Sequence, residues 1–300
     1  MKNSTEEINP FNSVLYDDSA EKELISKAIK GNKEALEQLI IRHQDYIFNV
    51  ALKTVSHTED AEDITQEILI KVITNLSSYN PEKGRFRTWL YRITFNHILN
   101  LKKQKNEKLI TGFDFFFDFI KNTPEILISE NEEKEYQLAI EESKVSCMSG
   151  MIMCLDREQR VIYVIGEVFE IDHNLASEIF NITPENFRKK LSRARSDLYQ
   201  WMNDRCGLVN PDNPCRCPKK TKGFIQKGVV DPVNRKWLSD YKHQIHEIST
   251  NQANNVLNAR DRLYSELFKQ HPFKQSKKGS EILNKILNDK NISGPLNLNE

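Results

Sequence analysis

The stretch Glu59-Asp60-Ala61-Glu62-Asp63-Ile64-Thr65-Gln66-Glu67-Ile68-Leu69-Ile70-Lys71-Val72 opens a segment, Glu59 to Lys105, around which the chain is organised. Its acids gather at a helix start, and Ile64, Ile68 and Val72 recur at helical spacing. The pattern then breaks at Ser77-Ser78-Tyr79-Asn80-Pro81-Glu82-Lys83-Gly84, a cluster of turn residues. A second helical run, Arg85 to Lys105, carries Lys and Arg with the aromatics Phe86, Trp89, Tyr91 and Phe95 in its first half. One helix is acidic on its polar face and the next is basic and aromatic. Such a pair can offer carboxylates to a basic protein and a cationic, stacking surface to unpaired nucleic acid.

Upstream, Leu24, Ile25, Ala28 and Ile29 precede a Gly31-Asn32 stop, and Ala35, Leu36, Leu39, Ile40, Tyr46, Ile47, Val50 and Ala51 form a second apolar stripe. Residues 19–105 read as one all-helical domain, and the polar, unpatterned residues 1–18 as a disordered N-terminus. Residues 106–145 read as a linker. Within it Phe113, Phe115, Phe117 and Phe119 alternate, which predicts an extended segment pinned by aromatic packing.

Residues 146–205 form a second helical domain. Leu175, Ala176, Ile179 and Phe180 predict a short amphipathic helix, Asn181-Ile182-Thr183 a turn, and Pro184 the first position of a further helix capped by Thr183. That helix carries Phe187, Leu191, Ala194 and Leu198 inward, with Arg188, Lys189, Lys190, Arg193 and Arg195 elsewhere around it. Short helix, turn and basic helix make a helix-turn-helix. The expected fold is therefore all-α: two small helical domains joined by a linker, followed by a C-terminal helical or loop extension.

The words Asp60-Ala61-Glu62-Asp63-Ile64-Thr65-Gln66-Glu67 and Phe86-Arg87-Thr88-Trp89-Leu90-Tyr91-Arg92-Ile93, in this order and spacing, resemble region two of the bacterial sigma-70 factors in their extracytoplasmic-function (ECF) form. The words Ala176-Ser177-Glu178-Ile179-Phe180, Ile182-Thr183-Pro184 and Leu191-Ser192-Arg193-Ala194-Arg195 resemble region four. This chain departs from the family with Leu155-Asp156 where Leu-Pro is usual, and with Phe180 in place of a small alanine.

The resemblance implies a sigma factor that binds core RNA polymerase and promoter DNA. Asp60, Asp63, Gln66 and Glu67 would dock on the polymerase. Phe86, Arg87, Trp89, Tyr91, Arg92, Asn96, Lys102 and Lys103 would melt and read the −10 element. Glu185, Asn186, Arg188, Lys189, Lys190, Ser192, Arg193 and Arg195 would contact the −35 element. An anti-sigma factor, or self-inhibition by the extension, is the expected control. The rival reading is a stand-alone helix-turn-helix regulator that never joins polymerase, for which the acidic face and the aromatic helix would serve no purpose.

Lys+Arg and Asp+Glu balance at 43 each, so net charge says nothing about partners. No apolar run approaches the ~18 residues that cross a bilayer, and no secretory signal is visible, so a cytoplasmic protein with no membrane partner is expected. No phosphate-cradling glycine loop, nucleophile elbow or metalloprotease histidine pair is present, and no enzyme is expected.

Residues 206–300 exceed an ordinary ECF factor. They open with Cys206, Cys215 and Cys217, which fit a zinc knuckle whose fourth ligand would be His243, His246, Cys147 or Cys154, against a reading as free structural cysteines and a third as a redox switch. Lys219, Lys220, Lys222 and Lys227 follow, to be read as DNA contacts or a solvated face. Amphipathic helices are expected at 252–270 and 281–288.

Overall fold

The computed structural model describes residues 18–237. Residues 1–17 and 238–300, and with them the expected N-terminal disorder, His243, His246 and the two tail helices, lie outside the described residues. All regular elements among the described residues are helical, and the one extended pairing is an isolated bridge between Cys206 and Cys215. The described residues fall into two compact units: 18–104 with 169–188, and 105–168 with 189–237.

The first unit begins with α1 (Asp18–Ile29) and α2 (Lys33–Val55), joined at Gly31 and Asn32. Asn32 caps α2, its side-chain oxygen accepting from the Ala35 amide at 2.7 Å. Helix α2 is buried along most of its length because α1 and α3 (Thr58–Thr74) both pack against it. Ser56, in the left-handed conformation, ends α2, and His57 caps α3. Ile64, Ile68 and Val72 are buried as their spacing requires. Two 3₁₀ turns, Leu76–Ser78 and Pro81–Lys83, replace the predicted turn cluster and lead into α4 (Phe86–Asn100), which packs on α3.

The second unit holds α5 (Lys105–Leu109), α6 (Phe113–Lys121), α7 (Glu130–Met153) and α8 (Arg157–Tyr163), which runs on through a π-helical turn, Val164–Val168. Helix α9 (His173–Phe180) belongs to the first unit. Helix α10 (Pro184–Arg205) contributes its residues from 189 onward to the second, as does α11 (Cys217–Gln226).

The expected extended linker is therefore wrong: 113–121 is a helix. The phenylalanines satisfy both periods, since Phe113, Phe116, Phe117 and Ile120 also recur at threes and fours. Tertiary packing decides between them. Phe116 and Ile120 are buried, and Trp201 meets the rings of Phe113, Phe116 and Phe117 at 5.6, 6.0 and 6.3 Å.

Glu107 is the polar anchor of this unit. It lies buried, accepts from Arg157 Nε and Nη2 at 2.9 and 2.7 Å, and accepts from Arg160 Nη1 at 3.0 Å. Arg160 Nη2 also donates to the Met153 and Leu155 carbonyls, which ties the buried guanidinium to the backbone at the end of α7.

The start of the extension is part of this unit. Helix α11 packs on α7, and Lys220 Nζ donates to the Thr123 carbonyl at 2.7 Å. Lys222 pairs with Glu132 at 2.9 Å, Lys227 lies 4.6 Å over the Phe119 ring, and the Trp237 amide donates to Glu142 at 2.9 Å. Lys220 and Lys222, buried and half-buried, thus tie the extension to 123–132, while Lys227 keeps its solvated place beside Phe119.

Candidate nucleic-acid interface

Helix α3 turns its apolar stripe and Glu62 inward, and others of its carboxylates outward. Asp63 and Glu67 are exposed, one turn apart, with Asp60 and Gln66 half-buried beside them. Asp60 sits at the helix start, 3.2 Å from Nδ1 of the capping His57. Glu67 reaches His97 Nε2 at 3.1 Å, while Lys71 Nζ donates to His97 Nδ1 at 2.7 Å. An ammonium donor on Nδ1 assigns the ring proton to Nε2, facing Glu67. Burial, then the Lys71 charge, hold His97 below the ordinary imidazole value, against Glu67, so the ring is neutral near pH 7.

The expected nucleic-acid residues of α4 divide by burial. Phe86 and Tyr91 are 2% and 0% exposed, and Arg87 is also buried. These three are corrected from DNA contacts to core. The stacking role and the packing role both ask for a flat apolar face, and burial assigns these residues to the second. Tyr91 completes a buried chain that the sequence did not announce. Glu21 lies 2.9 Å from His43 Nε2, and His43 Nδ1 lies 3.2 Å from the Tyr91 hydroxyl. Three polar residues scattered over 70 positions, each lone in its own helix, leave no motif to find.

Trp89 is half-buried, with Phe86 and Tyr79 at 5.4 and 5.7 Å. Tyr79 is itself fixed, donating its hydroxyl to the Gly84 carbonyl at 3.0 Å, so the loop 77–84 is braced against the start of α4. Asn96, Lys102 and Lys103 are exposed. Asn96 lines a hollow of about 370 Å³ with Lys71, Ile93, His97 and Asn100, where amide, ammonium and imidazole groups surround an apolar floor. A pocket of that chemistry suits a single base held edge-on.

Arg92 is exposed but occupied: Nη2 donates to the Glu178 carbonyl at 2.6 Å. Helix α9 packs on α4 in the first unit, where Phe95 stacks on Phe180 at 5.3 Å with planes 3° apart. Phe180 also meets Phe187 at 5.9 Å. The bulky residue at the family's alanine position therefore has two ring partners.

The helix-turn-helix forms as its residues require. Asp172 caps α9 through the Asn174 and Leu175 amides, Asn181 takes the left-handed conformation, and Thr183 Oγ1 accepts from the Asn186 amide at 3.2 Å. Phe187, Leu191, Ala194 and Leu198 are all buried. Glu185, Asn186, Arg188, Lys189, Ser192 and Arg193 are exposed. Lys190 pairs with Glu158 at 2.9 Å, and Arg195 Nε donates to Glu167 at 2.6 Å. These two are engaged with α8 and its π turn.

Cys206, Cys215 and Cys217 are half-buried and form no disulfide, and Cys147 of α7 lines one cavity with Cys206 and Cys215. Among the described residues, no helix is long and apolar enough to cross a membrane.

Residues 39–107 match the family described as Sigma-70 region 2. Over 188 residues the chain is 24% identical to the ECF RNA polymerase sigma factor SigW of Bacillus subtilis (strain 168), covering 61% of this chain and 97% of that protein. It is 24% identical over 177 residues to the ECF RNA polymerase sigma-E factor of Haemophilus influenzae, covering 57% of this chain and 89% of that one. Among solved structures, CnrH in complex with the cytosolic domain of CnrY aligns with a TM-score of 0.41 at 19% identity, over 62% of this chain and 98% of CnrH. Residues 39–107 are thus a Sigma-70 region 2, and over more than half of its length the chain is similar to ECF RNA polymerase sigma factors.

Proposed function

We propose that this chain binds core RNA polymerase, directs it to promoters with two recognition elements, and itself performs no chemistry. The observation that carries the reading is the outward Asp63–Glu67 face of α3, backed by the buried Ile64, Ile68 and Val72. Exposed carboxylates on a rigid helix complement arginines on a partner and speed encounter. A regulator acting on DNA alone has no use for them.

The −10 element would be opened and read at α4. Asn96 and its hollow would take an extruded base, Trp89 would supply a stacking edge, and Lys102 and Lys103 would neutralise phosphates. The −35 element would be read by α10. Arg188, Lys189, Ser192 and Arg193 would face the major groove, while Glu185 and Asn186 would sit at the helix start. Lys190 and Arg195, paired to carboxylates, would contribute less. Polymerase would supply catalysis, and the compartment would be the cytoplasm. An inhibitory protein or the chain's own 206–300 would control access to these faces.

The test is reconstituted transcription. Core polymerase alone should give no specific start sites on genomic fragments, and adding this protein should give discrete ones. Unchanged products with and without the protein would reject the reading.

A further inference from the structure

All five of the chain's thiols lie in the second unit, and four of them come from three separate segments. Cys147 lies in the body of α7, Cys206 just past the end of α10, and Cys215 and Cys217 at the start of α11. Cys147, Cys206 and Cys215 line one cavity of about 280 Å³, walled by Phe117, Ile120, Met151 and Trp201. Cys206 and Cys215 pair through their backbones, and Cys217 follows one residue beyond.

The knuckle that presents three of these thiols is held by polar bonds, with Val209 its one deeply buried apolar side chain. Asn213 Nδ2 donates to the Asn203 and Cys206 carbonyls at 2.8 and 3.3 Å, and the Asn210 amide donates to Cys206 at 2.9 Å. Arg216 Nη2 donates to Pro211 at 2.7 Å and Nη1 to the Cys215 and Asn213 carbonyls. The two arms approach so closely that a Cβ on Gly207 would collide with the Cys215 carbonyl and the Arg216 guanidinium. These bonds hold the knuckle in one shape beside the thiol-lined cavity.

We propose that Cys147, Cys206, Cys215 and Cys217 form a four-thiolate site for zinc. Soft sulfur donors select a thiophilic d¹⁰ cation, and four such ligands close a tetrahedral structural site. Zinc with four thiolates carries two excess negative charges. Lys220, which lines the same cavity as Cys206 and Cys215, places one cation at the site. Among the described residues no three side chains already stand in metal-binding geometry, so zinc binding must draw the sulfurs together.

Cys154 is set apart from this group. Its thiol donates to the Gly150 carbonyl at 3.4 Å, and it does not line the cavity that Cys147 shares with Cys206 and Cys215. The structure thus chooses between the two cysteines that could complete the knuckle.

Oxidation is the competing fate, since Cys206 and Cys215 already pair through their backbones.

The experiment is metal analysis of the full chain purified without chelator, followed by Co²⁺ titration of metal-free protein in the presence of reductant. One zinc per chain is expected, with a thiolate-to-cobalt charge-transfer band that saturates at one equivalent. Cys154→Ser should keep both signals, and Cys147→Ser should lose metal or bind it many-fold more weakly. Because Cys147→Ser could misfold, the cobalt titration of the unsubstituted chain stands as an independent readout. Three results would each overturn the assignment: no zinc and no thiolate band, full binding by Cys147→Ser, or a Cys206–Cys215 disulfide in place of metal.

Discussion

Arg92 Nη2 donates to the backbone carbonyl of Glu178, 86 residues away, at 2.6 Å. This bond joins the helix expected to open the promoter to the first helix of the helix-turn-helix. The Phe95–Phe180 stack lies within the same helix pair. A DNA strand that recruits Arg92 must displace that carbonyl. Phe180→Ala should lower stability by about 2 kcal/mol, less than a fully buried phenylalanine because Phe180 is half-exposed. Arg92→Ala should cost about 1 kcal/mol or less, since the acceptor can turn to water. Urea midpoints of the two variants check the order, and an Arg92→Ala loss larger than that of Phe180→Ala would contradict it.

Glu107 holds two arginines in the second unit, and Arg160 is almost wholly buried. Glu107→Gln should destabilise by about 3 kcal/mol, because it leaves a guanidinium buried without its counter-charge. Burial already holds Arg160 below its ordinary value, with Glu107 opposing that shift. Arg160→Met in the Glu107→Gln background should recover part of the loss. Thermal unfolding of the two variants and the wild type gives the comparison.

Lys53 is 3% exposed in α2, and burial lowers its ammonium to about 7. The unfolded chain keeps the ordinary value near 10.5, so between these two values it binds a proton that the native state does not. Stability should therefore rise as pH goes from about 7 to about 10, by on the order of a few kcal/mol from this residue. Below about 7 both states are protonated and the penalty is fully present. Lys53→Met should remove that part of the slope. Parallel pH–stability curves for the two proteins would contradict the prediction.

Within the DNA faces, Asn96→Ala should relax base preference in the melted element with little change in affinity for duplex. Arg193→Ala should weaken −35 binding by about 1–3 kcal/mol if it reads a base edge. Lys190→Ala, which loses a pair with Glu158, should matter less. Promoter-profile sequencing and filter binding over a salt series measure all three, and an unaltered profile for Asn96→Ala would count against its role.

The helical domains were legible because apolar spacing and turn residues agree: Ile64, Ile68 and Val72, the Asn181–Pro184 turn, and Phe187 with Leu191 all landed as their periods required. Local pattern was blind where one composition satisfies two periods, as in Phe113–Ile120. It was blind again where a residue suits two roles, as Phe86 and Tyr91 do, because only burial separates stacking on a base from packing in a core. The Glu21–His43–Tyr91 chain and the approach of Cys147 to the knuckle are non-local, and spacing along the chain carries no trace of them. Phe180 stood out as a departure from its family, and its partners, Phe95 and Phe187, became visible only in three dimensions.

The central claim is that the outward face of α3 is where this chain meets polymerase. Asp63 and Glu67 are exposed, so replacing both with Lys should leave the fold intact while reversing the charge offered to the partner. The direct measurement is binding of purified core RNA polymerase to the immobilised wild-type and Asp63→Lys/Glu67→Lys proteins, each with and without residues 238–300. The account predicts stoichiometric capture by the wild type in at least one of the two lengths, and its loss in the charge-reversed protein at that same length. Equal capture by both proteins would remove the docking face, and no capture by any of the four would contradict the account as a whole.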